Sequence, residues 1–266
     1  MSGKRVFVTG GASGLGRALA GRYARAGWRV LVGDIQDEKG AEVVAALRAA
    51  GATAEFRRCD VTADADVEAA ADWLDRAWGG CDLVFNNAGV VASGPIEDVP
   101  LADWRWIVDV NLLGVVRGCR AFAGRFKKRG GGHLVNIASL AGLVHPPLMG
   151  PYNATKAAVV ALSETLYAEL RPHGVAVSVV CPCFFRTNLI DTARTPDPAL
   201  KATAERLVTG APRGAEEVAE AIYRGVARRR FRILTDVEGR TTWPLKRLLP
   251  FAAFARLLAR RANERR

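Results

Sequence analysis

The stretch TGGASGLGRALA, Thr9 to Ala20, decides the fold. A β-branched run, KRVFVTG, leads into it, and a helical pattern, LGRALAGRYARAG, leads out. Gly10, Gly14 and Gly16, with Ser13 and Leu15 among them, therefore surround a strand-to-helix turn. Bare backbone N–H groups and a helix N-terminus meet at such a turn, which makes it a site for a pyrophosphate. The next strand pattern, WRVLVGD, ends on Asp34, twenty residues after Gly14. A carboxylate there accepts both hydroxyls of an adenosine ribose and repels a 2′-phosphate. Ser13 before Gly14 and Ile35 after Asp34 are not arginines, so nothing offsets that repulsion. The pattern favours NAD over NADP.

Outward from this turn, strand and helix patterns alternate. DEKGAEVVAALRAAG reads as a helix, TAEFRRCD as a strand, and the segment from about Asp64 to Trp78 as a helix. The strand CDLVFNNAG, a long helix from about Leu101 to Arg129, and the strand GHLVNIAS follow. A helix from about Tyr152 to Leu170, the strand GVAVSVVCP and a last strand, FRILT at Phe231–Thr235, complete the series. Strands that run as continuous Val, Leu and Ile between helices are buried on both faces. The expected fold is α/β, a doubly wound Rossmann-type parallel sheet of about seven strands with helices on both faces. One such domain spans residues 1–240, and residues 241–266 form a basic amphipathic extension. The irregular-to-helical insertion from Phe184 to Gly214 sits where a substrate lid would sit.

A chain of 266 residues, half of them apolar, can bury one large core. It holds no run of about 18 apolar residues of the kind that crosses a membrane. The start, MSGKRVFVTG, lacks the apolar core and cleavage site of a signal peptide. The five cysteines are dispersed without metal-ligand spacing, so reduced thiols, a cytoplasmic protein and no metal are expected. The net charge of +11 is uneven: residues 228–266 carry 12 Lys and Arg against 3 Asp and Glu. A nearly neutral body without a nucleic-acid motif argues against nucleic-acid binding.

The chemistry concentrates in GPYNATKAAV, Gly150–Val159. Tyr152 and Lys156 are four apart and share one helix face. A positive charge beside a phenol lowers its pKa toward a range useful for acid–base work. Thr-Gly-x3-Gly-x-Gly, Asp34, NNAG at Asn86–Gly89, Ser139 and the Tyr-x3-Lys pair occur in the order that resembles the short-chain dehydrogenases/reductases. The resemblance covers about residues 4–235. It implies a catalytic set of Asn111, Ser139, Tyr152 and Lys156. Ser139 would hold the substrate oxygen, and Asn111 would anchor a water in a proton relay. It also implies a cofactor set that includes Asp60 and Val61 at the adenine, Asn87, Ala88 and Gly89 along the cleft, and Tyr152 and Lys156. Pro182 and Thr187, in CPCFFRT, would lie near the nicotinamide. One departure is Cys183, where the family usually has glycine. The resemblance further implies a homodimer or homotetramer.

Leu143, His145 and Met149 before the tyrosine, with Phe184 and Phe185 after Pro182, form an apolar surround. They suggest a hydrophobic alcohol or carbonyl substrate, with Ser139 touching it. Arg186 is a candidate for an acidic group on the substrate. His133 and His173 read as surface residues. In the tail, Leu248, Phe251, Phe254, Leu257 and Leu258 form an apolar stripe beside Arg256, Arg260 and Arg261. Pro244 suits a helix start and Pro250 a break. The stripe either packs over the pocket or a second subunit, or makes peripheral contact with an anionic membrane. Competing readings of the whole chain are a non-redox epimerase or dehydratase of the same fold, and a non-catalytic binding protein.

Overall fold

The computed structural model describes residues 3–264. The glycine turn joins β1 (Arg5–Thr9) to α1 (Gly14–Arg25). Next come β2 (Arg29–Asp34), α2 (Asp37–Ala49), β3 (Ala54–Arg58), α3 (Asp64–Trp78) and β4 (Leu83–Asn86). A long helical segment contains α4 (Leu101–Val108) and α5 (Gly114–Arg129) and leads to β5 (Gly132–Ile137). The short α6 (Ala141–Val144) and long α7 (Gly150–Leu170) precede β6 (Val175–Val180). After it come α8 (Pro198–Thr209), α9 (Ala215–Ala227), β7 (Arg232–Ile233), α10 (Val237–Leu248) and α11 (Phe251–Glu264).

The seven strands pair in the order β3-β2-β1-β4-β5-β6-β7, all parallel. Strand order reverses between β1 and β4, so a crevice opens beyond their C-terminal ends. Alternate residues of each strand face opposite sides of the sheet. Phe7, Leu31, Val84 and Leu134 enter one core with Leu74, Phe122 and Val159. Val6, Val8, Val32 and Phe85 enter the other with Leu19, Tyr23 and Ile222. The doubly wound fold and its helices on both faces are as expected.

Four local features differ from the sequence reading. The long fourth helix is not uniform, because Asp109–Leu113 forms a π-helical turn between α4 and α5. His133 is no surface residue: it lies inside β5, buried, with Nε2 2.8 Å from Ser178 Oγ. β7 is only two residues long, although the FRILT pattern spans five. α10 starts at Val237, capped by Asp236, whose carboxylate accepts from Gly239 N at 2.6 Å. Pro244 therefore sits inside that helix, and the expected boundary at residue 240 also falls within it. Pro250 does separate the last two helices.

The apolar stripe of the tail divides. Phe254 is 1% exposed and joins the core cluster that also contains Leu143 and Val159, with Leu258 packed against the same cluster. Burying that phenylalanine contributes on the order of 2–3 kcal/mol, enough to dock α11 on the body. Leu248 and Phe251, at the α10–α11 elbow, are 82% and 78% exposed. The side chain of Arg261 lies outside the described residues. Among the described residues, no helix is long and apolar enough to cross a membrane. All five cysteines are free.

Candidate active site

The site is assembled where the C-terminal ends of β1, β4, β5 and β6 meet. The Thr9 hydroxyl donates to Phe85 O at 3.2 Å and accepts from Asn87 N and Ala88 N at 3.0 and 3.1 Å. Asn87 Nδ2 donates back to Thr9 O and Gly10 O, so the NNAG segment is stitched to the glycine turn. Gly14 has φ +48°, and a Cβ on it would lie 2.7 Å from Thr187 Oγ1. A Cβ on Gly16 would lie 2.0 Å from Gly10 O. Side chains at these positions would fill the cradle, so the turn keeps its backbone N–H groups accessible to a phosphate.

Asp34 closes the cradle from β2. Its Oδ2 accepts from Ala12 N at 2.9 Å, and its Oδ1 from Gln36 N at 3.1 Å. The buried carboxylate thus fixes the turn and retains further lone pairs for a ribose. Beyond it, Asp60 Oδ1 holds Thr62 through N at 2.8 Å and Oγ1 at 2.7 Å, and Val61 is buried beside it. These groups fit a dinucleotide, with the pyrophosphate on the glycine turn and adenosine against Asp34 and Asp60.

A cleft of about 840 Å³ runs from this end past Ala88 to Ser139, Tyr152 and Phe184. Every residue assigned from sequence to the cofactor lines it, as do Met149 and Phe185. Leu143 and His145 do not. Leu143 is buried in the main core, on α6, which packs against α7 and α10. His145 is clipped to the tail: Lys246 Nζ lies 2.7 Å from its Nδ1, and its Nε2 lies 3.1 Å from Gly142 O. Nδ1 therefore accepts from the ammonium, and Nε2–H donates to the carbonyl. Arg186 is also outside the cleft, paired with Glu217 at 4.0 Å.

Tyr152 lies in the first turn of α7, where the helix dipole favours a phenolate. Burial outweighs this and raises its pKa, while a hydrogen bond with Ser139 works in the opposite direction. The pKa lowering expected from Lys156 is therefore not a property of the folded chain alone. Lys156 Nζ is 5.7 Å from the tyrosine ring centroid and donates to Ile137 O at 3.0 Å. Burial lowers that amine to about 8. Ser139 Oγ accepts from Ala141 N at 3.1 Å, which orients the hydroxyl beside the phenol.

Asn111 sits in the π-helical turn, fully buried behind the cleft wall. Its Oδ1 accepts from Val90 N at 2.8 Å, and its Nδ2 donates to Val90 O at 2.9 Å. Such turns change the register of a helix and often occur at functional sites. The segment before Tyr152 carries strain: His145 and Leu148 have φ of +58° and +62°. Leu148 O accepts from Gly94 N at 2.7 Å, and Ser93 N donates to Arg194 O at 3.0 Å. Residues 93–94 thus join the loop before the tyrosine to the insertion after β6. Trp106, Met149, Leu189 and Ala193 pack there against a small apolar cluster of Val91, Ala92, Ile107, Ala141 and Tyr152.

Trp106, Glu238, Thr242 and Ala259 also line the cleft, and no local motif marks them. Leu258 lines it too, but belongs to the tail stripe for which packing over the pocket is one of the expected placements. Cys183 N donates to Asp236 Oδ2 at 3.0 Å and its thiol to Glu238 Oε2 at 3.3 Å. Burial pushes that thiol up to about 12, so it is no nucleophile.

The model of the short chain dehydrogenase family matches residues 4–197. A 3-alpha-(or 20-beta)-hydroxysteroid dehydrogenase of Mycobacterium bovis is 39% identical over 189 residues, 71% of this chain and 72% of its own. A short-chain dehydrogenase/reductase from Burkholderia phymatum, solved in complex with NAD, is 39% identical and superposes with a TM-score of 0.88. That match covers 92% of this chain and 93% of the other. A short-chain dehydrogenase from Sphingobium yanoikuyae in complex with NADPH is 29% identical, with a TM-score of 0.78 and 91% of each chain covered.

Proposed function

The chain belongs to the short-chain dehydrogenase family, and from that premise we propose that it is an NAD(H)-dependent oxidoreductase. It interconverts a hydrophobic alcohol and its ketone or aldehyde, with Tyr152 as general acid/base. The observation that carries this reading is one continuous cleft with Asp34 and the glycine cradle at one end. At the other end Tyr152, Ser139 and Lys156 face apolar walls.

A nicotinamide dinucleotide bound along the cradle supplies the hydride donor or acceptor. The chain's own residues handle the proton and the oxygen. Ser139 holds the substrate oxygen beside the phenol of Tyr152. Burial keeps the proton on Tyr152, so at neutral pH it is poised to donate to a carbonyl oxygen. To accept a proton from an alcohol it needs the positive charge of Lys156, which is held nearby by Ile137 O. Asn111 fixes the Val90 backbone next to this group and supports the relay. The buried Asp34 carboxylate favours NAD, because a 2′-phosphate would meet a negative charge. A bulky alicyclic alcohol belongs among the first substrates to try, given the hydroxysteroid relative.

The test is incubation with NAD and a panel of apolar alcohols, following nicotinamide absorbance and product together. Tyr152→Phe should lower kcat/KM at least about a hundredfold while NAD binding persists in calorimetry. Turnover of substrate without net nicotinamide change would favour the epimerase or dehydratase reading. No turnover at all would favour a binding protein.

Assembly as a homodimer or homotetramer is part of the same proposal, and light scattering tests it. A specific observation also keeps peripheral membrane contact in view: exposed Leu248 and Phe251 stand at the elbow beside exposed Arg247. Equal sedimentation of wild type and a Leu248→Ser/Phe251→Ser variant with anionic vesicles would dismiss it.

A further inference from the structure

We propose that the C-terminal extension is the rigid wall of the substrate chamber and that Leu258 sets the bulk of the alcohol admitted; this rests on the oxidoreductase reading above. Leu258 and Ala259 of α11, with Glu238 and Thr242 of α10, line the same cleft as Tyr152. The insertion contributes Leu200, Ala204 and Leu207 of α8 to the same lining. The C-terminal helices and α8, which no local sequence pattern connects, therefore share one chamber.

The C-terminal helices and α8 are mounted differently. The pair α10–α11 is tied at three points. Asp236, at the head of α10, accepts from Cys183 N at 3.0 Å, on the loop that follows β6. Lys246, further along α10, donates to Leu143 O at 2.6 Å and lies 2.7 Å from His145 Nδ1, on the segment before Tyr152. Phe254, one turn before Leu258, is buried in the main core. Among the described residues α8, like α11, buries a single side chain, but its Val208 joins none of the apolar cores, whereas Phe254 enters the main one. Size discrimination needs a surface that does not yield. An extra methylene against a fixed apolar wall costs about 10–200-fold, whereas a wall able to shift absorbs it. Selection by bulk therefore belongs to α11, and α8 adapts.

Full-length Leu258→Ala and Leu258→Phe, beside Leu207→Ala on α8, decide the matter. They are assayed with NAD and secondary alcohols of increasing bulk, and the same alcohols are titrated calorimetrically in the presence of NAD. Leu258→Ala should raise kcat/KM for the bulkiest alcohol relative to the smallest by about tenfold or more, chiefly through KM. Leu258→Phe should move the ratio the other way, and Leu207→Ala should move it less than about threefold. The proposal is overturned if both Leu258 variants keep the wild-type ratio, or if Leu207→Ala shifts it more. If Leu258→Ala does not fold, Leu258→Met replaces it in the same comparison. If wild type binds alcohols without oxidising them, the oxidoreductase reading fails, and the ratio of affinities still decides the wall. Binding of no alcohol at all overturns both.

Discussion

Lys156 donates from Nζ to the carbonyl oxygen of Ile137 at 3.0 Å, a bond that ties α7 to the end of β5. The amine sits at about 8 because burial disfavours its charge. At pH 7 it is protonated in both folded and unfolded chains, so the burial penalty, up to about 3 kcal/mol, stands in full. As pH rises from about 8 toward the lysine value of 10.5, the folded chain releases this proton first and the penalty fades. Lys156→Met should therefore raise the melting temperature at pH 7 while nearly abolishing turnover. The gain should shrink between pH 8 and 10.5 in calorimetric melts.

Asn111 acts on Val90 with both ends of its amide. Asn111→Leu would leave a backbone N–H and C=O without their partner, at about 1–3 kcal/mol each. The expected loss in urea unfolding is about 2–4 kcal/mol, with the loss of activity alongside it. A variant as stable as wild type but inactive would place Asn111 in the proton relay alone.

His133 offers a test by pH. Ser178 Oγ donates to Arg230 O at 2.7 Å, so it accepts from Nε2–H of His133, and the ring is neutral. Burial lowers this histidine to about 4. Between pH 6.5 and 4 the unfolded chain gains a proton that the folded chain refuses, so stability falls by up to about 3 kcal/mol. In His133→Gln that part of the acid limb should flatten, as read by denaturant midpoints across pH 4–7.

Asp34 can be altered with the glycine turn preserved. Asp34→Asn keeps an acceptor for Ala12 N and removes the negative charge that a bound ribose would face. The ratio of kcat/KM for NADP to that for NAD should rise by on the order of tenfold or more. An unchanged ratio would mean that other residues choose between the two.

Much of the fold was legible because a parallel sheet buried on both faces writes itself as uninterrupted apolar runs. Those runs stand out for β1, β2, β4, β5 and β6. β7 is less clear, because only Arg232 and Ile233 pair in register with β6. His133 was misread because a lone polar residue at the start of an apolar run looks like a boundary. Its partner Ser178, on the adjacent strand, supplies the hydrogen bond that lets it stay inside. Pro244 was read as a helix start, but the Asp236 cap seven residues earlier takes that role.

The glycine turn and the Tyr152–Lys156 pair were determined by the sequence alone, because each depends on spacing within one turn or one helix face, whereas Ser139 was reached only through the family resemblance. Gly14 to Asp34 and Tyr152 to Lys156 are separations that a strand and a helix convert directly into geometry. The tertiary structure alone decided the direction of the Tyr152 pKa, since burial depends on everything packed around the phenol. It also decided how the C-terminal helices dock on the body, where Lys246 meets Leu143 across 103 residues of chain. Contacts of that range arise from the packing of whole elements, and no local pattern of residues encodes them.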